Sequence, residues 1–265
     1  MKKGMVITAV VLLLTGLILF GTAFVLGGFD FPIHGNAKLT ENIYMENTYS
    51  VNQTFTRIEI DASETDIRFS PSKDGNCAVI CEEPDKVTYT AAVEDGTLKI
   101  AVDDRRTWAD RLMLFSRTPV MTVCLTEDAY EALRIASRTG DVSIPEGFTF
   151  GSIDVTLSTG DIACSASANG PVTIKTSTGD VTCGVCANGA LRIETSTGDV
   201  RLNTCDAESI LIKTSTGDVT GTLRSEKVFL VKTSTGKVDV PESGSGGKCE
   251  ITTSTGDIRI ELAGE

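Results

Sequence analysis

From Ser137 onward, apolar residues recur at every second position on either side of a repeated glycine. The repeat is a phrase, Ser-Arg-Thr-Gly-Asp-Val at Ser137, then Ser-Thr-Gly-Asp followed by Ile or Val, with Lys237 replacing the Asp once. The glycines Gly140, Gly160, Gly179, Gly198, Gly217, Gly236 and Gly256 are spaced 20, 19, 19, 19, 19 and 20 residues apart. A near-constant period of that length marks a solenoid, and alternation at two rather than at three or four makes its elements strands.

The phase of the alternation shows which residues face inward. Seven before each glycine stand Leu133, Ile153, Val172, Leu191, Ile210, Phe229 and Cys249, and five before stand Ile135, Val155, Ile174, Ile193, Ile212, Val231 and Ile251. Two after each glycine is always Val or Ile, and four after are Ile144, Cys164, Cys183, Leu202, Gly221, Val240 and Ile260. Each coil therefore has two strands meeting at a Thr-Ser-Thr-Gly-Asp corner, and consecutive coils stack at about 4.8 Å into ladders of like side chains. Glycine supplies the positive φ of the corner, and Asp is expected to cap its own turn, with Lys237 relieving like-charge crowding. The column four before the glycine reads Lys175, Glu194, Lys213, Lys232 and lies outside the core.

Before Ser137 the grammar loosens. Ile58-Glu59-Ile60 and Ile67-Arg68-Phe69 flank Ser63-Glu64-Thr65-Asp66 like one coil without its glycine, and residues 87–102 alternate around Glu94-Asp95-Gly96, which predicts a hairpin. Residues 103–118 are an insertion.

The first thirty residues follow other rules. Residues 5–28 are uncharged and mostly Val, Leu, Ile, Phe, Ala and Gly. As a helix rising ~1.5 Å per residue they span the ~30 Å hydrocarbon core, with Lys2 and Lys3 held in the cytoplasm. The expected organisation is residues 1–29 as cytoplasmic tip and transmembrane signal-anchor helix and 30–49 as linker. An extracytoplasmic all-β parallel solenoid follows over 50–265, divided into an irregular lead-in at 50–126 and regular coils at 127–265. The chain is then a single-pass protein of the cytoplasmic membrane with its C-terminal domain outside. Small residues at Gly21-Thr22-Ala23 leave a cleaved signal peptide as the rival reading.

Composition narrows the partners. A net charge of -12 lacks the basic footprint that nucleic acid requires. Aromatic residues are 6% of the chain, too few for stacking platforms, and the single histidine, His34, sits in the linker. A carbohydrate-active β-helix enzyme needs carboxylates grouped with Arg or Lys on one face, whereas the outward columns here, Thr, Ser, Lys and Glu, keep the register of the repeat. No catalytic residue, cofactor or small-molecule substrate is expected. The Asp ladder (Asp141, Asp161, Asp180, Asp199, Asp218, Asp257) is a remote calcium candidate, since glycine-aspartate solenoids that bind calcium supply more oxygens per turn. Arg105, Arg106, Trp108, Arg111 and Phe115 form a basic-apolar stripe, a candidate for touching a partner or membrane surface, with a cover for the open solenoid end as the plainer reading. Among the eight cysteines, Cys183 and Cys186 form a lone CxxC, and Cys164 and Cys183 read as stacked packing thiols.

The Ser-Thr-Gly-Asp-Val phrase from Gly140 to Asp257, with the lead-in from Val120 to Ile135 and its Leu-Thr-Glu-Asp turn, resembles the bacterial domain of unknown function 4097 (DUF4097) family, whose members are labelled candidate adhesins. The resemblance covers residues 50–262. It implies a solenoid in the cell envelope behind a single span, sometimes in envelope-stress operons, and it brings no catalytic residues. Two functions follow as expectations: a structural or adhesin-like module binding cell-wall polymer or an envelope protein, and an accessory regulator of envelope-stress signalling.

Overall fold

The computed structural model describes residues 44–107, 117–242 and 244–264. The expected membrane span, the linker up to residue 43, and Trp108, Arg111 and Phe115 lie outside the described residues. No helix among those described is long and apolar enough to cross a membrane.

The described chain is all β. Parallel strands pair coil on coil in the register read from the repeat: Leu133, Ile153, Val172, Leu191 and Ile210 are successive partners on one face, and Val142, Ile162, Val181, Val200 and Val219 on the other. The inward residues of both faces merge into one core, in which Val172, Ile174, Leu191, Ile193 and Val200 are fully buried. Two methyl-bearing branches at Cβ suit a pleated surface stacked on its own kind, which is why Val and Ile dominate these columns. The glycine-free coil stands as expected, as Arg57–Asp61 and Asp66–Pro71. The hairpin of Val87–Glu94 with Thr97–Asp104 turns on Asp95 and Gly96, both at positive φ, as a two-residue turn of the right twist requires.

The order of the coils differs from their order in sequence at both ends. Ile210 pairs with Cys249, and Cys249 with Phe229; likewise Val219 pairs with Ile258, and Ile258 with Val238. The last coil in sequence, Gly247–Thr252 and Ile258–Leu262, is therefore the penultimate layer, and the coil before it in sequence, Lys227–Lys232 and Val238–Asp239, is the terminal one. At the other end Arg57–Asp61 lies between Thr97–Asp104 and Ala132–Thr139. Each end of the solenoid chain is thus held by ladders on both sides rather than left on an edge. One consequence shows in the charged column: Lys213 faces Thr252, which keeps it from Lys232.

One further expectation is corrected. Met45–Val51 is a strand rather than linker, paired antiparallel with Cys77–Glu83; its polar outward residues hid an alternation that one-sided burial allows. The lead-in end of the solenoid is closed by antiparallel strands, Cys77–Glu83 over one face and Val87–Glu94 over the other. Antiparallel closure stops the parallel ladder because the next edge no longer matches the coil register.

Candidate interaction surfaces

At the corner, each Asp bonds across to the next layer rather than to its own turn. The N–H of Asp141 donates to Asp66 Oδ1 (2.9 Å), Asp161 to Asp141 (2.8 Å), Asp180 to Asp161 (2.7 Å), Asp199 to Asp180 (2.8 Å), Asp218 to Asp199 (2.9 Å), Asp257 to Asp218 (2.7 Å) and Lys237 to Asp257 (2.7 Å). This corrects the own-turn cap: a strand-to-strand ladder puts the next N–H closer than the residue's own. It also accounts for Lys237, which sits on the terminal layer, where no further corner N–H among the described residues needs an acceptor. Arg201 takes the outer oxygens of Asp180 and Asp199, both at 2.9 Å, and its guanidinium, together with the Asp199 N–H, holds the Asp180 carboxyl below the usual carboxylate range. Its signal in the sequence is a cation two residues after the Asp199 it clamps.

The glycines are there for space as well as for φ. A Cβ on Gly179 would lie 2.0 Å from the Gly160 carbonyl oxygen, and one on Gly236 2.0 Å from that of Gly256. The Thr three residues before the glycine turns inward, against the expectation that Thr columns face out. Thr176, Thr195, Thr214, Thr253 and Thr233 donate to the glycine carbonyl of the neighbouring layer at 3.0 to 3.4 Å, and a hydroxyl with that partner is tolerated in a core.

What remains outside is a ridge. Ser158 and Thr159, Ser177 and Thr178, Ser196 and Thr197, Ser215 and Thr216, Ser254 and Thr255, Ser234 and Thr235 are all exposed at the corner, in stack order. With layers about 4.8 Å apart, this hydroxyl ridge runs about 24 Å. The long-strand face beside it is charged and self-paired, as in Lys175 with Glu194 (3.5 Å) and Arg134 with Glu59 (3.5 Å).

The arginine stripe is only partly described, and what is described is engaged. Arg106 is nearly buried and meets Glu64 at 2.7 Å and Asp104 at 2.8 Å, and Arg105 meets Asp103 at 2.6 Å. Arg117, the last arginine of the insertion, grips Glu82 with two bonds of 2.6 and 2.8 Å and stacks on Tyr44, holding the Glu82 carboxyl low. Sequence reasoning overlooked Glu83, which is buried in the cap and accepts from Asn47 (2.6 Å) and from Tyr49.

All eight cysteines are free thiols. Cys164, Cys183, Cys205 and Cys249 are fully buried; burial pushes the Cys249 thiol to about 12 and raises Cys164 further. Cys183 and Cys205 share a hydrogen bond, which raises Cys205. The second half of the CxxC, Cys186, is only half-buried, and no cluster of three metal-ligating side chains occurs among the described residues. An open cleft of about 360 Å³ at the capped end is lined by Val51, Phe55, Cys77, Thr126 and Tyr130, where Phe55, Tyr130 and Phe150 stack in a row.

Comparison with known proteins bears on fold. The Toastrack DUF4097 family model matches residues 55–265. A candidate adhesin from Bacteroides fragilis is similar in structure, with a TM-score of 0.52 and 17% identity, covering 83% of this chain and 96% of its own. A candidate cell adhesion protein from Clostridium sporogenes has a TM-score of 0.40 and 13% identity, covering 83% and 99%. No curated protein matches the chain in sequence.

Proposed function

We propose, from the premise that the chain belongs to the Toastrack DUF4097 family, that it is a non-enzymatic interaction module of the cell envelope, tethered to the cytoplasmic membrane by residues 5–28 and binding polyhydroxylated cell-wall polymer along its corner. The observation that carries this reading is the unbroken ridge of exposed Ser and Thr pairs. Paired hydroxyls at a fixed spacing both donate and accept, so they match a repeating sugar polymer at many weak points, where avidity rather than a deep pocket gives affinity. The acidic side chains that would make a catalytic or metal centre are instead spent on the interlayer N–H groups. The Bacteroides fragilis relative, described as a candidate adhesin, supports the same class of function.

The test is co-sedimentation of the full chain, in mild detergent, with purified peptidoglycan. Placing Glu at Ser177, Ser196 and Ser215 together puts charge on the ridge without touching the core. Loss of co-sedimentation with an unchanged melting temperature is the expected result; failure of the parent chain to bind, or equal binding by the triple variant, overturns the reading. The regulator alternative draws less support, because Arg105 and Arg106 are already held by acids of this chain.

A further inference from the structure

The two ends of the solenoid are unlike. One is closed by antiparallel strands; at the other, among the described residues, Lys227–Lys232 pairs only with Gly247–Thr252, and Val238–Asp239 only with Ile258–Leu262. The terminal layer carries more exposed apolar surface than the inner layers do. Val228, Leu230 and Val238 are 39%, 51% and 47% exposed, three of the four exposed large apolar residues among those described. Phe229, Val231 and Val240, whose counterparts in inner layers are fully covered, are only partly buried. A long apolar edge strand with one unpaired row of N–H and C=O groups is a template for another strand.

The edge also says which strand. A further parallel coil of the same repeat would present an N–H at the corner and find Lys237 where every inner layer offers Asp. Glu226, just before the edge strand and accepting from Ser245 Oγ, and the outward strand residues Val228, Leu230 and Lys232 are all exposed, reading acid, apolar, apolar, base. We propose that this layer is a dimer surface that takes the same layer of a second copy of the chain, the two edge strands running antiparallel about Phe229.

In that register Glu226 faces Lys232 of the second copy and Val228 faces Leu230, each twice by symmetry, while Phe229 meets its own copy on the inner side. Parallel self-pairing would set Glu226 on Glu226 and Lys232 on Lys232, and like charges directly opposite are destabilising. The other strand lysine, Lys227, does not face the partner as a loose charge: its side chain is buried and turned back to Asp206 at 2.8 Å. Such a contact is isologous, so it closes at two copies, and the capped far ends stop it from growing into a fibre.

The experiment is the mass of the full chain in density-matched detergent by sedimentation equilibrium, with folding of each variant checked by its melting temperature. The parent chain is expected to dimerise, and Leu230→Lys, on the solvent side of the edge, to weaken association at least tenfold. Glu226→Lys and Lys232→Glu should each weaken it, and the two together should restore it, because the swapped charges still face each other only in the antiparallel register. A monomeric parent chain, an unaffected Leu230→Lys dimer, or failure of the double variant to recover overturns the proposal. None of these outcomes depends on the polymer reading.

Discussion

The backbone N–H of Lys237 donates to Asp257 Oδ1 at 2.7 Å, and Lys237 offers no carboxylate onward. Every inner corner passes one such bond to the next layer, and the chain of bonds stops where the layers stop. The carboxylates along it are therefore acceptors of backbone N–H groups that the parallel ladder leaves over at the corner.

Removing one inner acceptor should cost more than its exposure suggests. Asp161→Ala strands the Asp180 N–H, and we expect a loss of about 1 kcal/mol, against little change for Asp161→Asn, which keeps the Oδ1 acceptor. Lys237→Asp should not stabilise, since no further corner N–H among the described residues awaits it. Urea unfolding of the three variants decides; an equal loss for Ala and Asn would show that charge rather than the hydrogen bond matters.

The glycines divide into two kinds. At Gly179 an added Cβ would meet the Gly160 carbonyl, and the φ of 144° is itself strained for any other residue; Gly179→Ala is expected to cost at least about 3 kcal/mol. Gly75, also at positive φ, has nothing within 4 Å of such a Cβ, so Gly75→Ala should cost only about 1 kcal/mol from the backbone. Thermal melts of both variants test the contrast, and similar losses would mean that φ alone governs.

Coil content was legible in the sequence because period-two alternation and a constant repeat leave one register: the partners of Ile153, Val172 and Leu191 could be read in advance. Coil order was not, because every coil carries the same columns and any coil can stack on any other. The clues to order were departures: Lys237 at the corner of the terminal layer, and Thr65 where other coils have glycine, on the coil whose corner N–H at Asp66 bonds the Pro119 carbonyl instead of another repeat corner. The inward Thr column was missed because a hydroxyl reads as polar until its acceptor, a glycine carbonyl one layer away, is known. The open edge at Val228 and Leu230 was hidden by the assumption that the last coil in sequence is the last in space.

That exchange of coils is directly testable. Leu211 and Glu250 are partners on adjacent layers, and Glu250 and Leu230 on the next pair, so Leu211 and Leu230 stand two layers, about 9.6 Å, apart. In a chain with Cys77, Cys124 and Cys186 replaced by Ser, cysteines at 211 and 250 should be joined efficiently by a bifunctional thiol reagent about 5 Å long, and cysteines at 211 and 230 should not. The reverse preference would restore sequential stacking.

The thiols should sort by layer. A disulfide-exchange reagent at pH 8 is expected to reach the half-buried Cys77, Cys124 and Cys186 in the folded chain, while Cys81, whose thiol burial pushes up to about 12, and the fully buried Cys164, Cys183, Cys205 and Cys249 react only on unfolding. Fast reaction of more than three thiols in the native chain would show that the columns open on the timescale of the reagent.

Arg201 sets a pH dependence whose sign follows from the lowered Asp180 carboxyl. A carboxylate depressed in the folded state contributes stability that is fully present above its unfolded pKa and disappears as pH falls through the folded one. Arg201→Gln should therefore melt below the parent chain above about pH 5, with the two curves converging in acid, below the usual carboxylate range, as Asp180 protonates in both. Because the pair is half-exposed, the gap should also shrink in about 1 M salt, where the screening length falls to about 3 Å. Melting temperatures from pH 2 to 7 at low and high salt measure both effects. A gap constant across pH would assign the role of Arg201 to packing of its stem against the ladder, and the Asp180 carboxyl would then owe its low pKa to the Asp199 N–H that donates to it.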